Sequence, residues 1–305
     1  MPIAFSTKAG TLKNLQGILS TARIAPLVFF QVSDWQADQE RCLKEIDSML
    51  GTKHFIVRSS CKREDSETES NAGAFLSIQN VTTKNLKRSI KQVILSYGTP
   101  SPDDEVLIQP MLNRVCRSGV ALSHDPSTCS PYRIINWTEG NNTTLVSSGT
   151  AATHCWQHAA QSPLSAPPEI TGTISLLEEL LYLFDGTAVD CEFAVTSEPE
   201  GEQLWLLQAR RLILLNSPQS EQAQSILLKN IETQVSRGMH HHPFLMGQRT
   251  VYGVMPDWNP AEIIGTRPKP FALSLYRELI TDSIWAYQRH NYGYRNLRSF
   301  PLMPH

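Results

Sequence analysis

Four polar residues recur at alternate positions in two neighbouring segments of the chain. Asp190 and Glu192 lie in the first segment, VDCEFAV. Gln208 and Arg210 lie in the second, QLWLLQAR. Alternate side chains of a strand share a face, so the four would surround one cavity if the segments pair. Acid and amide oxygens suit a hard cation such as Mg²⁺, and an arginine beside them can stabilise charge on a transferring phosphoryl group.

The element that must position these residues is a β-hairpin over residues 189–211. Both segments alternate with period two, and the turn between them contains Pro199 and Gly201. This pattern is typical of two antiparallel strands joined by a short turn. A surface hairpin with solvated charges has the same pattern, so the spacing alone leaves both interpretations open.

A second group of polar residues follows an apolar strand predicted over residues 54–60. Arg58 lies near the end of that strand, where ligand sites open in mixed sheets. The loop after it is rich in small residues that would let backbone N–H groups approach phosphate oxygens: Ser59, Ser60, Ser70, Asn71 and Gly73. A surface arginine at the end of a strand is the alternative.

Composition indicates a globular protein of ordinary type. The 305 residues are 41% hydrophobic and 18% charged, and the formal net charge is −2. Nothing in this balance favours nucleic acid or an anionic membrane as a partner. The segment MPIAFSTKAGTLK lacks the features of a secretory signal, and the apolar runs are too short to span a membrane. With six scattered cysteines and no CxxC pair, we expect reduced thiols and a cytoplasmic location.

Several familiar motifs are missing from the sequence. Neither the P-loop pattern G-x-x-x-x-G-K-[ST] nor the Rossmann pattern G-x-G-x-x-G occurs. Three adjacent histidines, His240, His241 and His242, could bind a metal, but neighbouring side chains of a loop point in different directions. We therefore expect no zinc site there.

Hydrophobic periodicity predicts alternating helices and strands along the chain. The predicted helices cover residues 36–50, 83–97, 174–184, 219–235 and 268–290. The predicted strands cover residues 23–35, 54–60, 105–112, 132–137 and 143–148, in addition to the hairpin, and another strand begins at residues 119–122.

Residues 1–212 resemble the nucleotide-binding domain of phosphoenolpyruvate synthase and pyruvate phosphate dikinase, which has an ATP-grasp fold. Six segments match motifs of that family in the family's order. They are STKAGTLKNL, FIVRSSCKREDSETESNAGAFLSIQNV, EVLIQPML, SGVALSHDP, EGNNTTLVSSG and VDCEFAV…LWLLQAR. The chain departs from the family at four points: STK replaces GGK, the first lobe is short between Lys8 and Arg58, TEGNN replaces GLGE, and Arg211 replaces a usual proline.

The resemblance implies ATP and Mg²⁺ as cofactors and assigns roles to individual residues. Lys8 and Arg58 should hold the ATP phosphates, and Ile108, Gln109 and Met111 should lie at the adenine hinge. Glu192 and Gln208 should ligate Mg²⁺, and Arg210 should stabilise the transferring phosphoryl group. Asp190 is expected to be structural.

The expected fold is therefore α+β, an ATP-grasp fold with two lobes around the nucleotide and a mainly helical C-terminal extension. The expected boundaries are 1–104 for the first lobe, 105–215 for the second lobe with the metal hairpin, and 216–305 for the extension. The tail segment MPDWNPAEIIG resembles a branch of bacterial L-glutamine kinases.

The resemblance implies an ATP-dependent phosphotransferase that passes phosphoryl through a histidine to a small-molecule acceptor, with L-glutamine as the expected acceptor. His154, His158 and His290 lack the glycine-rich context of the family's phosphorylated histidine. We therefore expect that histidine on a separate domain or protein. Two alternatives remain open: a non-catalytic nucleotide-binding protein and a stand-alone ATP-grasp ligase.

Overall fold

The computed structural model describes most of the chain in two compact units. The described residues are 3–61, 75–140, 154–241, 243, 247–249, 263–265, 268–281 and 283–293. The first unit is Met1–Gln224 and the second is Ser225–His305. The first unit contains two antiparallel sheets, and each sheet has its own hydrophobic core.

The first sheet has four strands in the order β1-β4-β2-β3. Its strands are β1 (Val28–Gln31), β2 (His54–Ser60), β3 (Ser77–Thr82) and β4 (Glu105–Pro110). Strand β4 is central, because it pairs with both β1 and β2. The predicted boundary after residue 104 therefore separates β4 from the sheet to which it belongs.

Three helices accompany the first sheet. They are α2 (Val32–Ala37), α3 (Gln39–Leu50) and α4 (Leu86–Ser96), the last preceded by a short 3₁₀ turn (Thr83–Asn85). Ile46 and Ile90 of the two longer helices join Val57 and Ile108 of the strands in one buried cluster. The helix predicted over residues 36–50 is interrupted at Asp38, whose carboxylate accepts a hydrogen bond from the Arg41 N–H and so starts α3 as a new helix.

The second sheet has five strands in the order β7-β6-β5-β8-β9. Its strands are β5 (Val115–Leu122), β6 (Tyr132–Glu139), β7 (His154–Ala159), β8 (Val189–Glu198) and β9 (Gly201–Arg211). One face is covered by α1 (Lys8–Leu15) and α5 (Pro168–Leu183), which bury Leu12, Leu15, Leu176 and Leu177 beside Phe193.

The segment before β1 connects the two sheets. Its Arg23 N–H donates to the Leu204 carbonyl, and the Leu206 N–H donates to the Arg23 carbonyl, both at 2.9 Å. These bonds add one residue to the edge of β9. The strand predicted over residues 23–35 is therefore wrong in extent: its first part lies against the second sheet, and only Val28–Gln31 enters the first.

The described part of the C-terminal region is mainly helical. Helix α6 (Glu221–Gly238) follows the second sheet, and α7 (Pro270–Tyr276) and α8 (Ile284–Asn291) come later. The helix predicted over residues 268–290 is interrupted, because a π-helical turn at Arg277–Thr281 changes the helical register between α7 and α8. Among the described residues, no helix is both long enough and apolar enough to cross a bilayer.

The predicted α+β class is confirmed by the two antiparallel sheets and their helices. The hairpin over residues 189–211 and the strand over residues 54–60 are also confirmed. The strand predicted over residues 143–148 lies outside the described residues.

Candidate functional site

Strands β8 and β9 place the four alternating polar residues on one face of the second sheet. Glu192 is paired directly with Gln208, and Asp190 with Arg210. Intervening residues of both strands, such as Cys191 and Ala209, enter the core on the opposite face. The sharing of a face predicted from the sequence is therefore present in the structure.

A β-bulge interrupts the hairpin directly beside Glu192. Gln208 pairs with Glu192 and Leu206 pairs with Phe193, which leaves Leu207 as the extra residue of β9. A bulged residue drops out of the regular ladder, so its carbonyl can bond elsewhere. The Leu207 carbonyl accepts a hydrogen bond of 2.7 Å from Arg58 Nη1.

Arg58 connects the first sheet to the hairpin of the second. Its Nη2 lies 3.1 Å from Glu192 Oε2 and 3.3 Å from Gln208 Oε1. The residue is 7% exposed, so these charge-assisted bonds form away from bulk water. Of its three side-chain nitrogens, Nε has no hydrogen-bond partner within the described residues. That nitrogen is buried, so the contacts of the guanidinium with the hairpin are made by Nη1 and Nη2.

Glu192 Oε2 and Gln208 Oε1 both contact Arg58 Nη2, and this geometry indicates whether the two residues fit a metal ion. Both oxygens face the same point, and that point accommodates positive charge. Among the described residues, no group of three or more His, Cys, Asp or Glu side chains could hold a metal ion. One carboxylate and one amide oxygen fit Mg²⁺ bound together with substrate phosphates, which is the usual arrangement for this ion.

Arg210 is held by its cross-strand neighbour. Its Nε and Nη2 lie 2.8 Å and 2.6 Å from Asp190 Oδ2. Burial raises the pKa of the Asp190 carboxyl, while the charge and hydrogen bonds of Arg210 act in the opposite direction. The two hydrogen bonds to Asp190 orient the guanidinium that the family resemblance assigns to the phosphoryl group.

Lys8 is the first residue of α1, and the end of β2 fixes its position. The Ala9 N–H donates to Ser60 Oγ at 2.9 Å, and Ser60 Oγ in turn donates to Glu105 Oε2 at 3.2 Å. Thr7 Oγ1 donates to the same Glu105 oxygen at 2.6 Å. A carboxylate at a helix N-terminus also complements the helix dipole. Through Ser60, the start of α1 lies close in space to Arg58, two residues earlier in β2.

Of the three residues predicted at the adenine hinge, Ile108 and Gln109 lie near the end of β4 and Met111 follows its last residue. The Ile108 side chain is buried in the core of the first sheet. Gln109 is also buried, and its Nε2 donates to the Ala25 carbonyl at 3.4 Å. The Met111 N–H donates to the His54 carbonyl. Because β1 pairs with β4 only as far as Ile108, the backbone of residues 109–111 continues beyond the β1 partner.

Other sequence candidates have different positions. Ser59 is fully buried in β2, and Ser70, Asn71 and Gly73 lie outside the described residues. His240 Nδ1 faces the Ser236 carbonyl at 2.8 Å, and His242 is not among the described residues. The contributions of Glu105 and of the Leu207 carbonyl were missed by sequence reasoning, because neither follows from strand periodicity.

Comparisons with known proteins give distant likenesses in structure. No protein-family model matches the chain, and no curated protein matches it. The D-alanine–D-alanine ligase from Helicobacter pylori matches with a TM-score of 0.36 and 15% identity, over 68% of this chain and 50% of that one. The corresponding enzyme from Coxiella burnetii has a TM-score of 0.38 and 12% identity, over 72% and 51%. VanG D-Ala:D-Ser ligase from Enterococcus faecalis has a TM-score of 0.35 and 14% identity, over 67% and 51%.

These three matches are to ligases of the ATP-grasp fold class. The matched region spans about half the length of each ligase. The narrower resemblance to phosphoenolpyruvate synthase and pyruvate phosphate dikinase stays a prediction from the sequence motifs.

Proposed function

We propose that the unit Met1–Gln224 is an ATP-grasp domain that binds Mg·ATP between its two sheets and transfers phosphoryl from ATP. The observation that carries this proposal is the meeting of Arg58 from the first sheet with Glu192 and Gln208 from the second. Cationic donors and oxygen ligands for a metal are the two components that binding of a polyphosphate requires.

Each residue has a role that its position supports. Arg58 and Lys8 hold and neutralise phosphate oxygens. Glu192 and Gln208 would hold the metal ion, which supplies positive charge to the phosphates when it is bound. Arg210, oriented by Asp190, donates to the phosphoryl oxygens as charge develops on them during transfer.

The phosphoryl acceptor that we propose is a histidine on a separate domain or protein. The support is the ordered set of six segments shared with the dikinase family and the tail that resembles L-glutamine kinases. In this scheme the phosphohistidine then phosphorylates a small-molecule acceptor, for which L-glutamine is the first candidate.

A stand-alone ATP-grasp ligase is the second candidate. All residues with a proposed role lie in one compact unit of this chain. Such a unit could pass the phosphoryl group directly to a carboxylate, and an amine would then displace the phosphate to form an amide. The two schemes need the same phosphate-binding groups and differ in the acceptor.

Product analysis separates the two candidates. The chain is incubated with Mg·ATP and carboxylate and amine pairs, or with Mg·ATP, L-glutamine and a phosphohistidine domain of the dikinase family supplied as a separate protein. Nucleotide products are followed by ³¹P NMR. AMP formation supports the dikinase scheme, in which both the β- and γ-phosphoryl groups leave the nucleotide, one passing through the histidine to the acceptor and the other released as phosphate. ADP with an amide product supports the ligase, which transfers the γ-phosphoryl group alone. In either scheme we expect Arg210→Ala to reduce turnover by about 10²-fold or more, whereas Arg117→Ala on β5 retains it.

Two results would contradict these schemes. If the chain binds ATP but shows no turnover in every one of these incubations, the result supports the non-catalytic alternative. Unchanged turnover in Arg210→Ala would contradict the proposed role of that residue.

A further inference from the structure

Arg58 and a metal ion at this site would need the same two oxygens. The guanidinium Nη2 lies within hydrogen-bonding distance of both Glu192 Oε2 and Gln208 Oε1. A Mg²⁺ ion binds such oxygens at about 2.1 Å, so it would have to take the space that the guanidinium nitrogen occupies. The two positive charges would also repel each other across a short, partly desolvated distance.

Arg58 has the contacts needed to leave those oxygens without becoming unpaired. Nη1 is bonded to the bulged Leu207 carbonyl, a neutral acceptor that does not compete with a phosphate. Nε has no partner within the described part of the chain. Nε is also buried, so the accessible side of the cluster is that of Glu192, whose side chain is 33% exposed. A phosphate group entering from that side competes for Nη2, and binding there would draw Nη2 away from Glu192.

We propose, on the basis of the proposed function, that Arg58 acts as an internal cation that fills the metal position until nucleotide phosphates displace it. The metal then enters together with the nucleotide and binds poorly before it. In this scheme Arg58 binds the nucleotide phosphates itself and also controls access to Glu192 and Gln208. The scheme couples two binding events, and such coupling is reciprocal: nucleotide must tighten metal binding by the same factor as metal tightens nucleotide binding.

The proposal makes opposite predictions for the two ligands of an Arg58→Gln variant. Removal of the guanidinium frees Glu192 and Gln208, so metal binding without nucleotide becomes tighter. The same change removes phosphate donors, so nucleotide binding without metal becomes weaker. A residue that only supports the fold would weaken both.

The test measures Mn²⁺ binding in the absence of nucleotide, by the loss of the free Mn²⁺ signal in electron paramagnetic resonance. Mn²⁺ prefers oxygen ligands, as Mg²⁺ does. We expect weak binding by the native chain and binding tighter by about tenfold or more in Arg58→Gln, within the usual range of coupling between sites. Arg117→Gln is the matched control, because Arg117 is equally buried and pairs with Glu202 instead.

Three further measurements complete the test. Adding Glu192→Gln to Arg58→Gln should abolish the gain in Mn²⁺ affinity. ADP should tighten Mn²⁺ binding to the native chain. Calorimetry with ATP in the presence of EDTA should show weaker nucleotide binding by Arg58→Gln than by the native chain.

Each contrary outcome has a separate meaning. If the native chain binds Mg·ATP but folded Arg58→Gln binds Mn²⁺ no more tightly, the displacement of Arg58 is wrong and the proposed function stands. Should Arg58→Gln fail to fold, the native chain decides: Mn²⁺ binding that is unaffected by ADP overturns the proposal. Failure of the native chain to bind ATP under any condition overturns the proposed function itself.

Discussion

Arg58 on β2 and Glu192 on β8 are 134 residues apart in sequence, yet Arg58 Nη2 lies 3.1 Å from Glu192 Oε2. The pair connects the two sheets of the first unit. The Arg58 side chain is 9% exposed and that of Glu192 is 33% exposed, so water reaches one side of the pair. A buried cation facing a partly accessible acid is suited to exchange partners when a charged ligand arrives.

Loss of the Asp190 charge should impair turnover more than binding. In Asp190→Asn, the side chain keeps its size, but the carboxylate that holds Arg210 at 2.6 Å and 2.8 Å is lost. Misplacement of such a group costs up to about 10²-fold in rate, so we expect kcat to fall by about that factor. Nucleotide affinity should stay within about threefold, because binding rests on other residues.

The measurement for Asp190→Asn is steady-state kinetics together with calorimetric ATP affinity. Glu202→Gln is the control, since Glu202 lies in the same hairpin and pairs with Arg117 away from the site. A kcat for Asp190→Asn equal to that of the native chain would show that Arg210 needs no orientation by Asp190.

Gly119 is required by close packing in the middle of the second sheet. A Cβ atom at this position would lie 2.2 Å from the Asn136 carbonyl oxygen and 2.9 Å from the Phe193 ring. Because backbone cannot move as a flexible side chain does, Gly119→Ala should lower the free energy of unfolding by about 1–3 kcal/mol. Urea denaturation followed by circular dichroism measures the change.

At Gly172 we expect the opposite effect of an alanine substitution on the free energy of unfolding. It lies in helix α5, where an added Cβ would approach only Leu204 Cδ2, at 3.7 Å. Alanine favours a helix over glycine, so Gly172→Ala should raise the free energy of unfolding by about 0.5–1 kcal/mol. Equal effects of the two substitutions would contradict the packing argument for Gly119.

His124 should make the protein less stable in mild acid. Burial lowers the pKa of its imidazole below the ordinary 6.5, and the nearby Arg133 guanidinium acts in the same direction, against a smaller raising effect of Glu221. The unfolded chain therefore takes up a proton at higher pH than the folded chain. Stability consequently rises with pH between the folded and unfolded pKa values, and falls as pH drops below about 6.5.

The variant His124→Gln tests this pH dependence. We expect His124→Gln to lose less free energy of unfolding than the native chain when the pH falls from above 6.5 to about 5. The comparison uses the free energy of unfolding in urea at both pH values. His240→Gln is the control, because His240 is exposed, and an equal loss in the native chain and both variants would exclude His124 as the cause.

Local patterns predicted those parts of the fold that depend on local chemistry. The alternation of Asp190 and Glu192, and of Gln208 and Arg210, was sufficient to predict the hairpin and its shared face. The apolar run ending near Arg58 similarly predicted β2. These features follow from the two-residue repeat of a strand, which acts over a few residues.

Features that depend on distant parts of the chain could not be predicted in this way. Periodicity shows that residues 105–110 form a strand but not which sheet the strand joins. The bulge at Leu207 leaves no mark in the residue pattern, although it supplies the carbonyl that holds Arg58. Glu105 could be recognised as part of the site only once Thr7 and Ser60 were seen to donate to it. Family resemblance, not periodicity, brought Lys8, Arg58 and Glu192 into one hypothesis.

Isothermal titration calorimetry of the chain with ATP, in the presence and absence of Mg²⁺, decides whether this hairpin belongs to an ATP site. We expect one Mg·ATP to bind per chain. In Glu192→Gln, the affinity for Mg·ATP should fall by about tenfold or more, equivalent to about 1.4 kcal/mol, while Glu202→Gln binds as the native chain does. No binding by the native chain, or equal affinity in Glu192→Gln, would contradict the assignment of this hairpin as the metal-binding wall of an ATP site.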